Sequence, residues 1–105
     1  MDTPIALAAR ENHLEVVKFL SQFTDDPNAG NDQGKTPIHY AAEEGHLDVI
    51  KILVPLTNNP NPHDETGETP LHLACRDWRW RKNNGNGESF LKIVEYLLPY
   101  SNYNR

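Results

Sequence analysis

One spacing recurs along this chain. Thr-Pro dipeptides begin at residues 3, 36 and 69, so that successive dipeptides are 33 residues apart. They open three similar stretches, TPIALAAREN, TPIHYAAEEG and TPLHLACRDW, and the pairs Gly34/Gly67 and Asn28/Asn61 keep the same spacing. A repeat of this length is a single supersecondary unit that buries its apolar face only against neighbouring units. The period therefore limits the fold to a stack of similar units.

Each unit carries the signals of two helices. Thr is a favourable N-cap, and Pro is favoured at the first helical position. In the middle unit residues 38–42 then predict a short helix whose alanines leave room for a neighbour. Gly45 suits the left-handed residue that ends this helix, and Asn12 holds the same place in the first unit. Residues 47–53 predict a second helix with a broad apolar stripe, and turn-forming segments separate the units.

On these residues the chain resembles the ankyrin repeat family, whose pattern is a 33-residue unit containing Thr-Pro-Leu-His-x-Ala-Ala. The stretches GKTPIHYAAEEGHLDVIKIL and GETPLHLA fit that pattern nearly position by position. The resemblance implies an all-α fold, an ankyrin-type α-solenoid of three helix-turn-helix repeats with connecting β-hairpin loops. We expect a single domain over residues 1–105, with repeats at about 1–30, 31–63 and 64–105.

The chain departs from the family pattern at several positions. Thr24, Thr57 and Ser101 stand where the family usually has Gly, and Pro55 and Pro99 should end the outer helices early. The first repeat lacks the motif histidine and a preceding hairpin, and the third lacks a polar capping helix. We therefore expect either an excerpt of a longer array or a small array with frayed ends.

The third repeat is longer than the others. Leu47 lies 11 residues after the threonine of its repeat, whereas the matching Leu91 lies 22 residues after its own, which indicates an 11-residue insertion near residues 78–88. Trp78 and Trp80 alternate with arginines in this insertion, and Trp and Arg are typical interface anchors. The insertion is thus either a binding loop or a surface insertion in which one Trp extends the inner helix over the neighbouring repeat.

Composition narrows the classes of function. The net charge of −5 argues against nonspecific binding to nucleic acid or anionic membranes, which needs a basic surface. No apolar run approaches the length of a transmembrane helix. Cys75 is the single cysteine, so no intrachain disulfide can form, which fits a reducing compartment, cytoplasmic or nuclear. Because Cys75 takes an Ala-like place in an inner helix, we expect its thiol to be buried and inert.

No residues predict catalysis. The resemblance gives His39 and His72 a structural role, as the family histidine that hydrogen-bonds within and between hairpins. His13 and His46 stand where second helices begin, and His63 has no partner at metal-ligand spacing. The sequence therefore predicts that the chain is not an enzyme and has no cofactor and no metal.

The resemblance also implies a binding face, the concave surface formed by hairpin tips and the exposed side of the inner helices. The matching positions are Arg10, Glu11, Asp32, Gln33, Lys35, Glu43, Glu44, Glu65, Thr66, Glu68, Arg76 and Asp77, and Trp78 and Trp80 are further candidates in the insertion. The concave positions have a net charge of −4. We predict a protein–protein interaction scaffold or targeting module whose protein partner has a basic surface.

Two alternatives to this prediction stay open. Nucleic acid or a small ligand could bind the Trp/Arg insertion, where bases could stack on Trp, although the acidic chain weighs against it. The chain could instead be a targeting segment of a larger enzyme.

Overall fold

The computed structural model of the chain describes residues 3–81 and 87–100. Within these ranges the regular elements are helical, and no β-strand is present. The α-helices are α1 (Pro4–Arg10), α2 (Leu14–Ser21), α3 (Pro37–Glu44), α4 (Leu47–Leu53), α5 (Pro70–Arg81) and α6 (Gly87–Leu97). Short 3-10 helices, Val54–Leu56 and Leu98–Tyr100, follow α4 and α6.

The helices pack as three antiparallel pairs in two rows. The pairs are α1 with α2, α3 with α4 and α5 with α6. The odd-numbered helices pack on one another in an inner row, and the even-numbered helices pack in an outer row. The predicted all-α solenoid of helix-turn-helix repeats is confirmed.

The inner helices begin where the repeated threonines predict. Thr3, Thr36 and Thr69 each accept a hydrogen bond at Oγ1 from the amide three residues later, over 3.1, 3.2 and 3.1 Å. The repeated asparagines contribute as well, because Oδ1 of Asn28 and of Asn61 accepts the amide at the second position of α3 and α5, over 3.2 and 3.0 Å. These bonds satisfy amides that have no partner within the helix.

The helix ends also follow the sequence signals. Gly45 closes α3 in the left-handed conformation, with φ of 81°, and Asn12 adopts φ of 62° after α1. The α-helical part of α4 and α6 ends before Pro55 and Pro99, as predicted, and each helix continues as a single 3-10 turn. A Pro lacks the amide donor that an α-helix needs, which a short turn at the helix end tolerates.

The core lies between repeats and is most complete in the middle one. Ile38, Ala42 and Val49 are fully buried there. The prediction of a buried thiol at Cys75 is wrong, because that residue is exposed. Ala42, its equivalent, is covered by the third repeat, whereas no further repeat follows α5 in the described residues. Partial desolvation still raises the pKa of the Cys75 thiol.

The insertion in the third repeat begins as helix. The inner helix α5 has 12 residues, whereas α3 has 8, so that Trp78 and Trp80 lie in a helical segment. The Trp78 side chain is partly buried. The Trp80 side chain and residues 82–86 lie outside the described part of the chain, and the predicted role of the insertion therefore stays a prediction.

Candidate interaction surface

The loop before α3 is closed around Asn31. Its amide donates to the carbonyl oxygen of Lys35 over 2.9 Å, and its Oδ1 accepts the amides of Gln33 and Lys35 over 2.8 and 3.0 Å. Gly34 has φ of +77°, and a Cβ there would lie 3.2 Å from the Cα of Asp64 in the next loop. The close approach of the two loops therefore requires glycine at this position.

The loop before α5 repeats the arrangement with a carboxylate. Oδ1 of Asp64 accepts the Thr66 amide and hydroxyl over 2.9 and 2.7 Å and the Glu68 amide over 2.9 Å. Burial acts to raise the pKa of Asp64, but these hydrogen bonds outweigh burial and hold that pKa below its ordinary value. The Asp64 carboxylate is therefore a structural group of the turn.

The two loops lie side by side. The amide of Glu65 donates to the carbonyl oxygen of Gln33 over 2.8 Å, which joins the loop tips. Between them is a cleft of about 240 Å³, whose lining residues are Gln33, Lys35, Asp64, Glu65, Thr66 and Glu68. Five of the predicted site residues thus share one polar cleft.

A row of ion pairs runs across the inner helices below the loops. Arg76 Nη2 lies 3.4 Å from Glu43 Oε2, Arg76 Nη1 lies 3.1 Å from Glu68 Oε2, and Lys35 Nζ lies 3.7 Å from Glu43 Oε1. Arg76 Nε also lies 4.0 Å from Asp77 Oδ1. These side chains are partly exposed, so each pair contributes about 0.2–1 kcal/mol. Much of the predicted negative charge is therefore paired within the chain.

Tyr40 is a member of this surface that sequence reasoning missed. The Arg10 guanidinium carbon lies 5.7 Å and the Lys35 ammonium 5.6 Å from the centre of its ring. Asn31 Nδ2 donates to the Tyr40 hydroxyl oxygen over 3.1 Å. We call Arg10, Lys35 and Tyr40 the cation–aromatic cluster. Tyr40 shares its repeat position with Leu7, which is exposed on α1, but the two cations beside the ring come from other segments.

The remaining predicted residues are more dispersed. Glu11 lies 3.7 Å from Arg10, Nε to Oε2. Asp32 is exposed in the first loop, and Glu44 is the last residue of α3. Trp78 lies in the second half of α5, away from the loop tips along the helix.

The histidines of the middle repeat join it to its neighbours. His39 Nε2 donates to the Glu68 carbonyl oxygen over 2.9 Å, and His46 Nε2 donates to the Arg10 carbonyl oxygen over 3.0 Å. His72 is exposed, and its Nδ1 accepts the Thr69 amide over 3.2 Å. The structural role predicted for His39 is confirmed. In the described part of the chain no group of His, Cys, Asp and Glu side chains is placed to hold a metal ion.

A second feature that the sequence did not bring out lies on the outer row. Phe19 and Phe23 are 61% and 71% exposed, with ring centres 4.9 Å apart. Val16 is exposed on the same helix, although its equivalent in the second repeat, Val49 of α4, is fully buried. The first repeat therefore leaves uncovered the face that in the second repeat forms core.

A comparison with protein families matches residues 5–105 to ankyrin repeats, in three copies. Among curated proteins none matches the chain. Of the helices in the described ranges, none has the length and apolar character needed to cross a bilayer.

Proposed function

The chain belongs to the ankyrin repeat family, and we propose that it is a non-enzymatic interaction module that binds a protein partner along the concave face defined above. Ankyrin repeats are in general protein–protein interaction modules, and the proposal assigns that role to this face. We also propose a reducing compartment, which the single cysteine of the sequence supports because it can form no intrachain disulfide.

The observation that carries the proposal is the set of bonds that join neighbouring repeats across the concave face. The loop tips are joined by the bond from Glu65 to Gln33, and the row of ion pairs connects α3 to α5 through Glu43 and Arg76. A surface that is ordered before binding loses less conformational entropy on association. The same polar positions recur in successive repeats, so that the face presents a regular array of hydrogen-bonding and charged groups.

The charge of this face supports a partner with basic groups. Glu43 and Glu68 are already paired with Lys35 and Arg76. Glu65 is exposed at a loop tip, and it is the carboxylate best placed to meet a cation of the partner. Binding through such groups weakens as salt is added, because exposed charges are screened.

The Trp/Arg insertion gives weaker support to nucleic-acid binding. Base stacking needs an accessible aromatic face, and Trp78 is partly buried on α5. The net charge of the chain is −5, which repels phosphate. We therefore favour the concave face over the insertion.

Site-specific photocrosslinking tests the proposal. A benzophenone amino acid replaces Gln33, Glu44 or Glu65 on the concave face, and matched controls carry it at Asp48 or Glu95 on the outer helices. We expect protein adducts in cells from the concave positions and far weaker adducts from the controls. Adducts that form equally from the outer positions, or from those positions alone, would contradict binding along the concave face.

A further inference from the structure

The two halves of the concave face differ in charge: the first has as many basic as acidic positions, Arg10 and Lys35 with Glu11 and Asp32, whereas the second is acidic. Between the first and second repeats lies the cation–aromatic cluster, in which Arg10 and Lys35 are each held within 6 Å of the Tyr40 ring, at 5.7 and 5.6 Å from its centre. One repeat further on, Glu43 stands at the repeat position of Arg10, and Glu68 stands at that of Lys35. The face is therefore divided along the axis of the stack, although its summed charge is negative.

The first half also exposes the apolar surface of the face. Leu7, which has the repeat position of Tyr40 on the adjacent helix α1, is 42% exposed, whereas Leu73, its equivalent in the third repeat, is fully buried. Tyr40 lies between them and is partly buried. An apolar side chain and an aromatic ring next to two cations form a binding site for an acidic residue of a partner that is followed or preceded by an apolar residue.

The second half offers acceptors for a cation. The cleft between the loop tips presents the Glu65 carboxylate with Gln33 and Thr66 beside it. The Thr66 hydroxyl donates its hydrogen to Asp64, so that its oxygen is left to accept from a partner. Lys35 stands at the border of the two halves and lines the same cleft.

We propose that the partner is an extended protein segment that carries both an acidic and a basic side chain. The acidic side chain meets the cation–aromatic cluster, and the basic side chain enters the cleft at Glu65. Neighbouring helices pack about 8–10 Å apart, and an extended chain advances about 3.3 Å per residue. The two charged residues of the segment are therefore about three positions apart. This inference rests on the proposed function and narrows it.

The division of charge also gives specificity. A purely basic segment that fits the cleft at Glu65 would bring a further like charge against Arg10 in the cation–aromatic cluster, and a purely acidic segment would meet Glu65 and Glu68. Each half thus disfavours one class of singly charged partner. A segment with both signs satisfies both halves.

Selection from a random peptide library displayed on phage, against the whole chain at low and at physiological salt, tests the inference. We expect enriched peptides that contain an acidic and a basic residue about three positions apart. In a synthetic peptide of that kind, replacing the acid by its amide should weaken binding at least about tenfold, as should the double change Arg10→Gln and Lys35→Gln in the chain.

Matched variants separate the possible results. Lys18→Glu with Lys51→Glu on the outer helices should leave binding unchanged, and circular dichroism checks that every variant is folded. Changing the acidic residue of the peptide to Lys should restore binding to the Arg10→Glu, Lys35→Glu variant. If that variant does not fold, the loss of binding in the Arg10→Gln, Lys35→Gln variant tests the inference by itself.

Three outcomes would overturn the inference. Peptides that are only basic and insensitive to Arg10 and Lys35 would contradict it while leaving the concave face as the binding surface. Peptides insensitive to every concave residue would contradict the proposed function as well. Failure to enrich any peptide at low salt would contradict an extended segment as the partner.

Discussion

His39 joins two repeats, because its Nε2 donates a hydrogen bond to the carbonyl oxygen of Glu68, 2.9 Å away and 29 residues further along the chain. Its Nδ1 accepts the amide of Thr36 over 3.0 Å, which fixes the neutral tautomer with the hydrogen on Nε2. Protonation of Nδ1 would remove that acceptor. The bond that Nδ1 accepts within the repeat therefore depends on a neutral imidazole, whereas Nε2 donates to Glu68 in either protonation state.

The stability of the chain should accordingly fall in mildly acidic solution. Burial lowers the pKa of His39 from its ordinary value of 6.5, and this effect outweighs the raising effects of the Glu68 carbonyl and the Asp64 charge. The unfolded chain then binds the proton more readily than the folded chain. The stabilisation is complete above pH 6.5 and is lost as the pH falls from there through the lower folded pKa. Urea denaturation at about pH 8 and at about pH 5 measures the difference in the free energy of unfolding.

Substitution of the two motif histidines provides the control. His39→Ala should cost about 1–3 kcal/mol at pH 8, since it leaves buried polar groups without a partner, and it should reduce the pH dependence. His72→Ala should cost less, because that ring is exposed and has no bond to a following repeat in the described residues. An unchanged pH dependence in the His39 variant would contradict the assignment.

The helix-ending positions Gly45 and Asn12 form a matched pair for a second prediction. Both have positive φ, 81° and 62°, but a Cβ on Gly45 would lie 2.9 Å from Cζ of Phe90 in the third repeat. Gly45→Ala should therefore cost about 2–4 kcal/mol, from strain and overlap together. Asn12→Ala should cost about 1 kcal/mol, from strain alone. Equal losses in urea denaturation would show that Phe90 moves aside freely.

Local signals made most of the fold predictable from the sequence. Thr36 at the N-cap and Gly45 in the left-handed conformation are short-range features, because each residue type favours the local backbone conformation found there. The 33-residue register then places the repeats against one another. Pro55 likewise predicts the end of an α-helix, independently of the tertiary contacts of the segment that follows.

Contacts between repeats were less predictable, because one repeat position serves different neighbours at different places in the stack. The sequence predicts that Cys75 is buried like Ala42, but burial at that position requires a following repeat. The sequence predicts Tyr40 as part of a helix, but its position between Arg10 and Lys35 depends on side chains from two further segments. The summed charge of the face likewise gave no indication that Glu43 and Arg76 pair across repeats.

Protection from hydrogen exchange should be highest in the middle repeat. Val49 and Ile50 of α4 are both fully buried, and α4 packs against both α2 and α6. In the first repeat Val17 is buried but Val16 is 44% exposed. The amides of α3 and α4 should therefore exchange most slowly, by about tenfold or more relative to α2, because opening them breaks two interfaces. Equal protection across the three repeats would contradict this expectation.

Trp78 supplies the last prediction, which concerns the helical start of the insertion. Its side chain is partly buried on α5, so in a Trp80→Phe variant the single remaining Trp should emit at shorter wavelength than the unfolded chain and be partly protected from acrylamide. Trp78→Ala should lower the free energy of unfolding by about 1–3 kcal/mol, below the full value for a completely buried Trp.

Trp78→Leu should recover part of that loss, because it restores apolar volume at the same place. Emission from Trp78 that matches the unfolded chain, together with no loss of stability in the alanine variant, would show that the side chain contributes nothing to packing. The start of the insertion would then be available for a partner, and the preference for the concave face would lose one of its supports.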